Sequence, residues 1–256
     1  MGLDAATRAA EVAALRLGLD LGMDLIDTAE MYADGGAEDV VGEALVGRRD
    51  EVFVVSKVLP QNASLRGTVA ACERSLRRLR TDRIDLYLLH WPGEHPLADT
   101  LAAFAELRDA GKILRFGVSN FDVHEMEAAF AAPHGADVAA NQILYNPARR
   151  GVERRLLPWC AAHDVAVMAY SPLEQGRLDL RGALADVARR HGVSAAQVAI
   201  AWSMRDANVC SIPKAARPEH IRANAAAREI VLDADDLARI DAAFPVPARD
   251  GPLETI

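Results

Sequence analysis

Asp27 closes a short apolar run, Asp24-Leu25-Ile26-Asp27, and Tyr32 follows five residues later. Lys57 stands inside Val54-Val55-Ser56-Lys57-Val58, and His90 ends Leu88-Leu89-His90. A carboxylate, a phenol, an ammonium and an imidazole thus sit at or just past the ends of three apolar runs. A phenol of ordinary pKa, near ~10, is a weak acid at neutral pH. A nearby ammonium favours the phenolate and makes proton donation easier. Asp27 would hold the lysine and keep it charged. His90 could donate a hydrogen bond to a carbonyl oxygen and set its orientation. Together the four are equipped to protonate a carbonyl oxygen as its carbon gains a hydride.

Something must bring those residues to one place. The chain repeats a single rhythm, a short β-branched or apolar run, a loop, then an amphipathic helix. Strands are expected at 24–29, 52–58, 84–91, 113–120, 138–146, 166–173 and 209–215. Helices are expected at 7–21, 37–46, 65–79, 96–110, 122–132, 151–163, 181–191, 194–206, 217–227 and 234–243, with Asp122 and Ser194 as N-caps. Strict alternation implies a parallel sheet with right-handed crossovers. A doubly wound dinucleotide fold would show G-x-G-x-x-G after an early strand, and neither that nor a P-loop is present. Polar groups instead recur at strand C-termini (Asp27, Lys57, His90, Asn120, Gln142, Tyr170, Lys214). The mouth of a (β/α)8 barrel is built at that face. The expectation is therefore an α/β TIM-type barrel forming one domain over residues 1–256, with no linker or low-complexity segment.

Only seven strands can be counted, and the first helix has none before it. Met1–Asp4 are too few for a strand, so the barrel is expected to lack its first one. Such a gap would leave unpaired strand edges on both sides.

The bulk numbers exclude several classes. With 29 basic against 37 acidic residues, a net charge of −8 and a pI near 5.4, the chain is a poor general partner for nucleic acid or anionic membranes. No apolar stretch is long enough to span a bilayer, and no signal core opens the chain. Cys72, Cys160 and Cys210 lie far apart without metal-ligand spacing, which points to a reduced, cytoplasmic setting and no metal.

D-T-A-E-M-Y, V-V-S-K-V, L-L-H-W-P, G-V-S-N-F, N-Q-I-L-Y-N, A-Y-S-P-L and S-I-P-K-A occur in this order between residues 24 and 215. In that order they resemble the aldo-keto reductases, and in detail the bacterial branch of small-aldehyde and methylglyoxal reductases. Members begin with a short hairpin and a first strand bearing a G-x-G-T-type turn, which this chain does not show. The resemblance implies a catalytic set of Asp27, Tyr32, Lys57 and His90, with Trp91 in the substrate pocket beside Tyr32 and His90. It implies that Ser119, Asn120 and Gln142 hold a nicotinamide carboxamide and that Tyr170 stacks on the ring. Ser171 and Leu173 would line the pyrophosphate. Lys214, Arg217, His220 and Asn224 would surround an adenosine 2′-phosphate. Three positions depart from the family pattern: Ala215 replaces a usual Ser, His220 a usual Arg, and Ala223 a usual Glu. Arg is the better bidentate phosphate ligand, but Lys214, Arg217 and Arg222 keep the neighbourhood cationic, so NADP is expected, with NADH possible.

Singly, each residue has a plainer reading. Asp27 caps a strand end, Tyr32 packs at the surface, His90 and Tyr170 belong to a core, and the basic set is a solvated helix face. Jointly and in order, the catalytic reading prevails. His95, His124, His134, His163 and His191 carry no such claim. The expected activity is NADPH-dependent reduction of small aldehydes or α-dicarbonyls by a monomer or weak homodimer. The rival is a non-catalytic barrel that binds nucleotide as a sensor or partner module.

Overall fold

The computed structural model describes residues 5–256, and its contacts gather the chain into two compact units, Met1–Ala140 and Asn141–Ile256. The expectation about Met1–Asp4 lies outside the described residues.

In the first unit α1 (Ala5–Asp20) is built largely from Ala, Leu, Glu and Arg, all good helix formers. It stops at Gly22, where φ is 80°. The Gly22 amide donates to the Leu19 carbonyl and that of Met23 to Gly18, a paired closure that satisfies the helix's last carbonyls. Four strands follow in alternation with helices: β1 (Leu25–Asp27), α2 (Gly36–Ala44), β2 (Phe53–Val58), α3 (Leu65–Leu79), β3 (Ile84–Leu89), α4 (Leu97–Asp109), β4 (Ile113–Ser119) and α5 (Val123–Ala131). β1 pairs with β2, β2 with β3 and β3 with β4, all parallel. Every residue of β3 and all but the first of β2 are buried, as near-continuous apolar strands covered on both faces must be. The register sets the site. Lys57 pairs with Leu88 and Leu89 with Val118, so His90 and Ser119 emerge one step beyond a shared level.

β5 (Val138–Leu144) carries the chain into the second unit, which continues with α6 (Leu156–Ala162), β6 (Ala166–Tyr170), α7 (Ala183–His191), α8 (Ala195–Ser203), β7 (Val209–Ser211), α9 (Pro218–Ala226) and α10 (Ala234–Ala243). β6 and β7 are parallel neighbours. Asp122 and Ser194 do cap α5 and α8, each in a reciprocal capping box with Glu125 or Gln197. The expected helix at 151–163 is a correction: Gly151–Arg154 form a separate tight turn, and α6 starts only at Leu156. Arg155 between them has φ −137° and ψ −47°, outside helical geometry. Buried Arg150 and half-buried Glu153 are drawn instead into an ion cluster with Arg205 and the exposed Asp241.

Candidate active site

Asp27, Tyr32, Lys57 and His90 all lie in the first unit, and three of them are in direct contact. Lys57 is wholly buried on β2. Its ammonium donates to Asp27 Oδ2 at 2.8 Å and to the Thr28 carbonyl at 2.8 Å, and lies 3.5 Å from the Tyr32 hydroxyl. A buried ammonium must be paired and hydrogen-bonded, and this one is. Asp27, the last residue of β1, supplies the compensating charge.

The loop between β1 and α2 is what presents Tyr32. The Thr28 amide donates to Val55 and that of Glu30 to Lys57, so the loop clings to β2 past the end of β1. Beyond Tyr32 the backbone turns through Ala33, Asp34 and Gly35, with φ 52°, 50° and 89°. Two of these three carry a Cβ, and such residues persist in that region only where the surroundings impose it. Two buried carboxylates do so. Glu30 accepts from the Leu59 amide and from Asn62 Nδ2, both at 2.8 Å, and pairs with Arg74 at 3.3 Å. Glu38 accepts from Ser56 Oγ at 2.5 Å and from Arg78 Nε at 2.6 Å. Ser56 precedes Lys57, so Glu38 anchors β2 from the side opposite the ammonium. Gly35 allows Arg78 to reach Glu38, since a Cβ there would lie 2.5 Å from Arg78 Nε.

Sequence reasoning passed over Glu30, Glu38 and Arg78. A signal existed for one of them: Glu38 falls three residues before Val41, on the apolar face of α2.

His90 follows β3. Its amide donates to Val58, its carbonyl accepts from Asn120 Nδ2 at 3.1 Å, and its ring meets Tyr32 edge to face at 5.6 Å. Trp91, more than a third exposed, lies against it with ring centres 4.8 Å apart. Burial, and after it the Lys57 charge, push the imidazole pKa down from 6.5 to about 3, so the ring is neutral at pH 7. Its Nδ1 is buried without a hydrogen-bond partner among the described residues. A proton there would be an unsatisfied buried donor, so the favoured tautomer carries it on Nε2, ready to donate.

The His90 shift has a consequence for stability. Between pH 6.5 and about 3 the unfolded chain holds a proton here that the folded chain does not. Stability should therefore fall as pH drops through that window, by about 1.4 kcal/mol per pH unit from this group, and be unaffected by it above. Urea midpoints of wild type and His90→Gln against pH would test this. Parallel acid slopes for the two would refute it.

Ser119 is buried at the end of β4, and Asn120 just past it has φ 59°. In the second unit Gln142 is buried on β5, Tyr170 ends β6 half-buried, and Ser171 follows with φ 51°. Leu173 is half-buried in the ensuing loop. Lys214, Arg217, His220 and Arg222 are exposed around the start of α9, and Asn224 is half-buried in it. Arg217 reaches Glu219 at 3.8 Å, so part of its charge is already answered.

Known proteins share both the sequence and the fold that carry this array. The aldo/keto reductase family matches residues 2–244. The chain is a member of the aldo/keto reductase family. It is 51% identical to methylglyoxal reductase YeaE of Escherichia coli (strain K12), covering 100% of this chain and 92% of that one. It is 36% identical to the glyoxal reductase of Bacillus subtilis (strain 168), over 85% of this chain and 77% of the relative. An aldo/keto reductase of Klebsiella pneumoniae, solved with NADP and acetate, superposes with TM-score 0.97 at 49% identity, covering 100% of this chain and 92% of that one. The family's (β/α)8-type barrel is thus the fold of this enzyme, with seven strands among the described residues. The barrel expected from alternating runs and polar strand ends holds.

Proposed function

We propose that this aldo/keto reductase converts small aldehydes and α-dicarbonyls of the methylglyoxal kind to alcohols with NADPH, as a single catalytic domain over residues 1–256. The observation that carries the reading is the buried Lys57 ammonium held between Asp27 and the Tyr32 hydroxyl. The relatives named for methylglyoxal and glyoxal reduction support the substrate class. A reduced nicotinamide, when bound, supplies the hydride. The chain's own residues do the rest. Neutral His90 donates to the carbonyl oxygen and orients it. Tyr32 gives that oxygen its proton, and the phenolate left behind is stabilised by the ammonium beside it, which Asp27 keeps in place.

The residues present fit such a cofactor. Ser119, Asn120 and Gln142 offer the hydroxyl and amides that a carboxamide needs, and Tyr170 offers an aromatic face. Ser171 and Leu173 belong to the loop read as lining the pyrophosphate. Lys214 and Arg222 have no acidic partner among the described residues, and α9 begins with Pro218, leaving backbone amides and the positive end of a helix near them. Arg217, His220 and Asn224 complete the set read as surrounding the 2′-phosphate. His220→Arg should therefore tighten NADPH more than NADH, because only NADPH carries that phosphate. Dissociation constants for both would decide it, and equal changes would place His220 away from the phosphate.

Residues 245–256, with Pro245, Pro247 and Pro252, form no helix or strand. We expect compact, activated carbonyls such as methylglyoxal or nitrobenzaldehydes to be preferred over steroids and long sugars, with Trp91 as pocket aromatic. No described helix is long and apolar enough to cross a membrane. The net charge of −8 favours a small-molecule partner over nucleic acid. We read the setting as reduced and cytoplasmic from Cys72, Cys160 and Cys210, which lie far apart in the sequence. We read the protein as a monomer or weak homodimer. The test is NADPH oxidation on adding methylglyoxal, with the alcohol formed in equal amount. Tight NADPH binding without turnover would sink the proposal.

A further inference from the structure

The loop after β6 holds an uncommon backbone. Ser171, Glu174 and Gln175 have φ of 51°, 50° and 54°, values that residues with a Cβ seldom adopt unless held there. What holds them is a chain of polar contacts. Glu174 is buried. Its Oε1 accepts from Arg149 Nε at 3.0 Å and Nη2 at 2.7 Å, and its Oε2 accepts from Asn146 Nδ2 at 2.8 Å. The same Asn146 amide donates to the Ser171 carbonyl at 2.9 Å, so both ends of the turn are tied to one buried side chain. Burial raises the Glu174 carboxyl, but Arg149 and Asn146 outweigh it and hold the group below the usual carboxylate range. Arg149 has one more arm. Its Nη1 donates to Glu254 Oε1 at 2.6 Å, in the C-terminal tail. A second tack lies nearby, where Arg154 pairs with Asp250 and donates to the Pro247 carbonyl at 3.2 Å.

We infer that the C-terminal tail is a positioning element for the dinucleotide loop. Through Glu254 and Arg149 it holds Glu174, and through Glu174 it keeps the Ser171–Gly176 turn in the conformation that receives the cofactor's diphosphate. The inference rests on the reading of Ser171 and Leu173 given above. Without the tail the strained turn relaxes, and the cofactor must first restore it, which weakens the apparent affinity by the fraction of time the turn is correct. Linkage requires the converse as well: cofactor binding tightens the tail's hold.

The test is an NADPH fluorescence titration on the full chain, with kcat measured at saturating cofactor. Glu254→Gln should raise Kd about two- to fivefold, the size expected of a half-exposed ion pair, and leave that kcat unchanged. Arg149→Met should raise it further, and adding Glu254→Gln to Arg149→Met should do nothing more. NADP should slow carboxypeptidase trimming of the tail in wild type but not in Arg149→Met. Leu173→Asp separates the premises. If it destroys binding while Glu254→Gln and Arg149→Met leave Kd unchanged, the coupling is overturned and the loop's role stands. If it leaves binding intact, the loop does not carry the cofactor and the inference falls with it.

Discussion

Replacing Tyr32 with phenylalanine should lower kcat for carbonyl reduction by roughly 10²–10⁴-fold, the usual worth of a positioned acid, and leave the NADPH dissociation constant near wild type. The substitution removes one hydroxyl. Lys57 keeps its contacts with Asp27 and the Thr28 carbonyl, so the buried charge stays compensated and the fold has no reason to shift. The ring still meets His90 edge to face, which keeps the loop in place. Only the proton is lost. Single-turnover kinetics with methylglyoxal, beside a fluorescence titration with NADPH, would show it. A variant that retained more than about a tenth of the activity would remove Tyr32 from the role of essential acid.

The Asp27–Lys57 pair should give unequal effects on stability from its two halves. Asp27→Asn leaves the Lys57 ammonium in the interior with no counter-charge, and stranding a buried charge costs roughly 3–5 kcal/mol. Lys57→Met replaces the ammonium with an apolar chain of similar length in a site with no solvent exposure, while Asp27, about an eighth exposed, keeps access to water. Its stability should match or exceed wild type. Both should lose most activity, since each removes the charge that stabilises the phenolate or the group that holds it. Urea unfolding would separate them. Equal destabilisation by the two would mean that the pair's packing, and not its charge, is what the fold depends on.

Regular elements were the legible part of this sequence. α3 runs over Leu65–Leu79 as its helical spacing predicts, because one face of small and apolar residues recurs along it and Ser64 caps it. Strand ends were read too long where the chain leaves the sheet to build loops. β6 stops at Tyr170, since Ser171 has positive φ and Pro172 offers no amide, and β7 stops at Ser211, two residues before Pro213. The proposed catalytic set stands out in the sequence because Asp27, Lys57 and His90 interrupt apolar runs, where an ionisable group is out of place. Glu30, Arg149 and Glu174 do not. Nothing in their local spacing says that their partners lie 25 to 44 positions away.

The hydrogen bonding of Lys57 carries one more consequence. Dicarbonyls of the kind proposed as substrate are attacked by amines, and only by the uncharged amine, whose lone pair makes the bond. Lys57 has no exposed surface, and its three N–H groups face Asp27, the Thr28 carbonyl and the Tyr32 hydroxyl. To condense with a carbonyl it would have to lose a proton and turn away from all three partners. Lys57 is therefore shielded from Schiff-base formation. An enzyme steadily handling an electrophile would be inactivated through its exposed surface before it was inactivated at its centre.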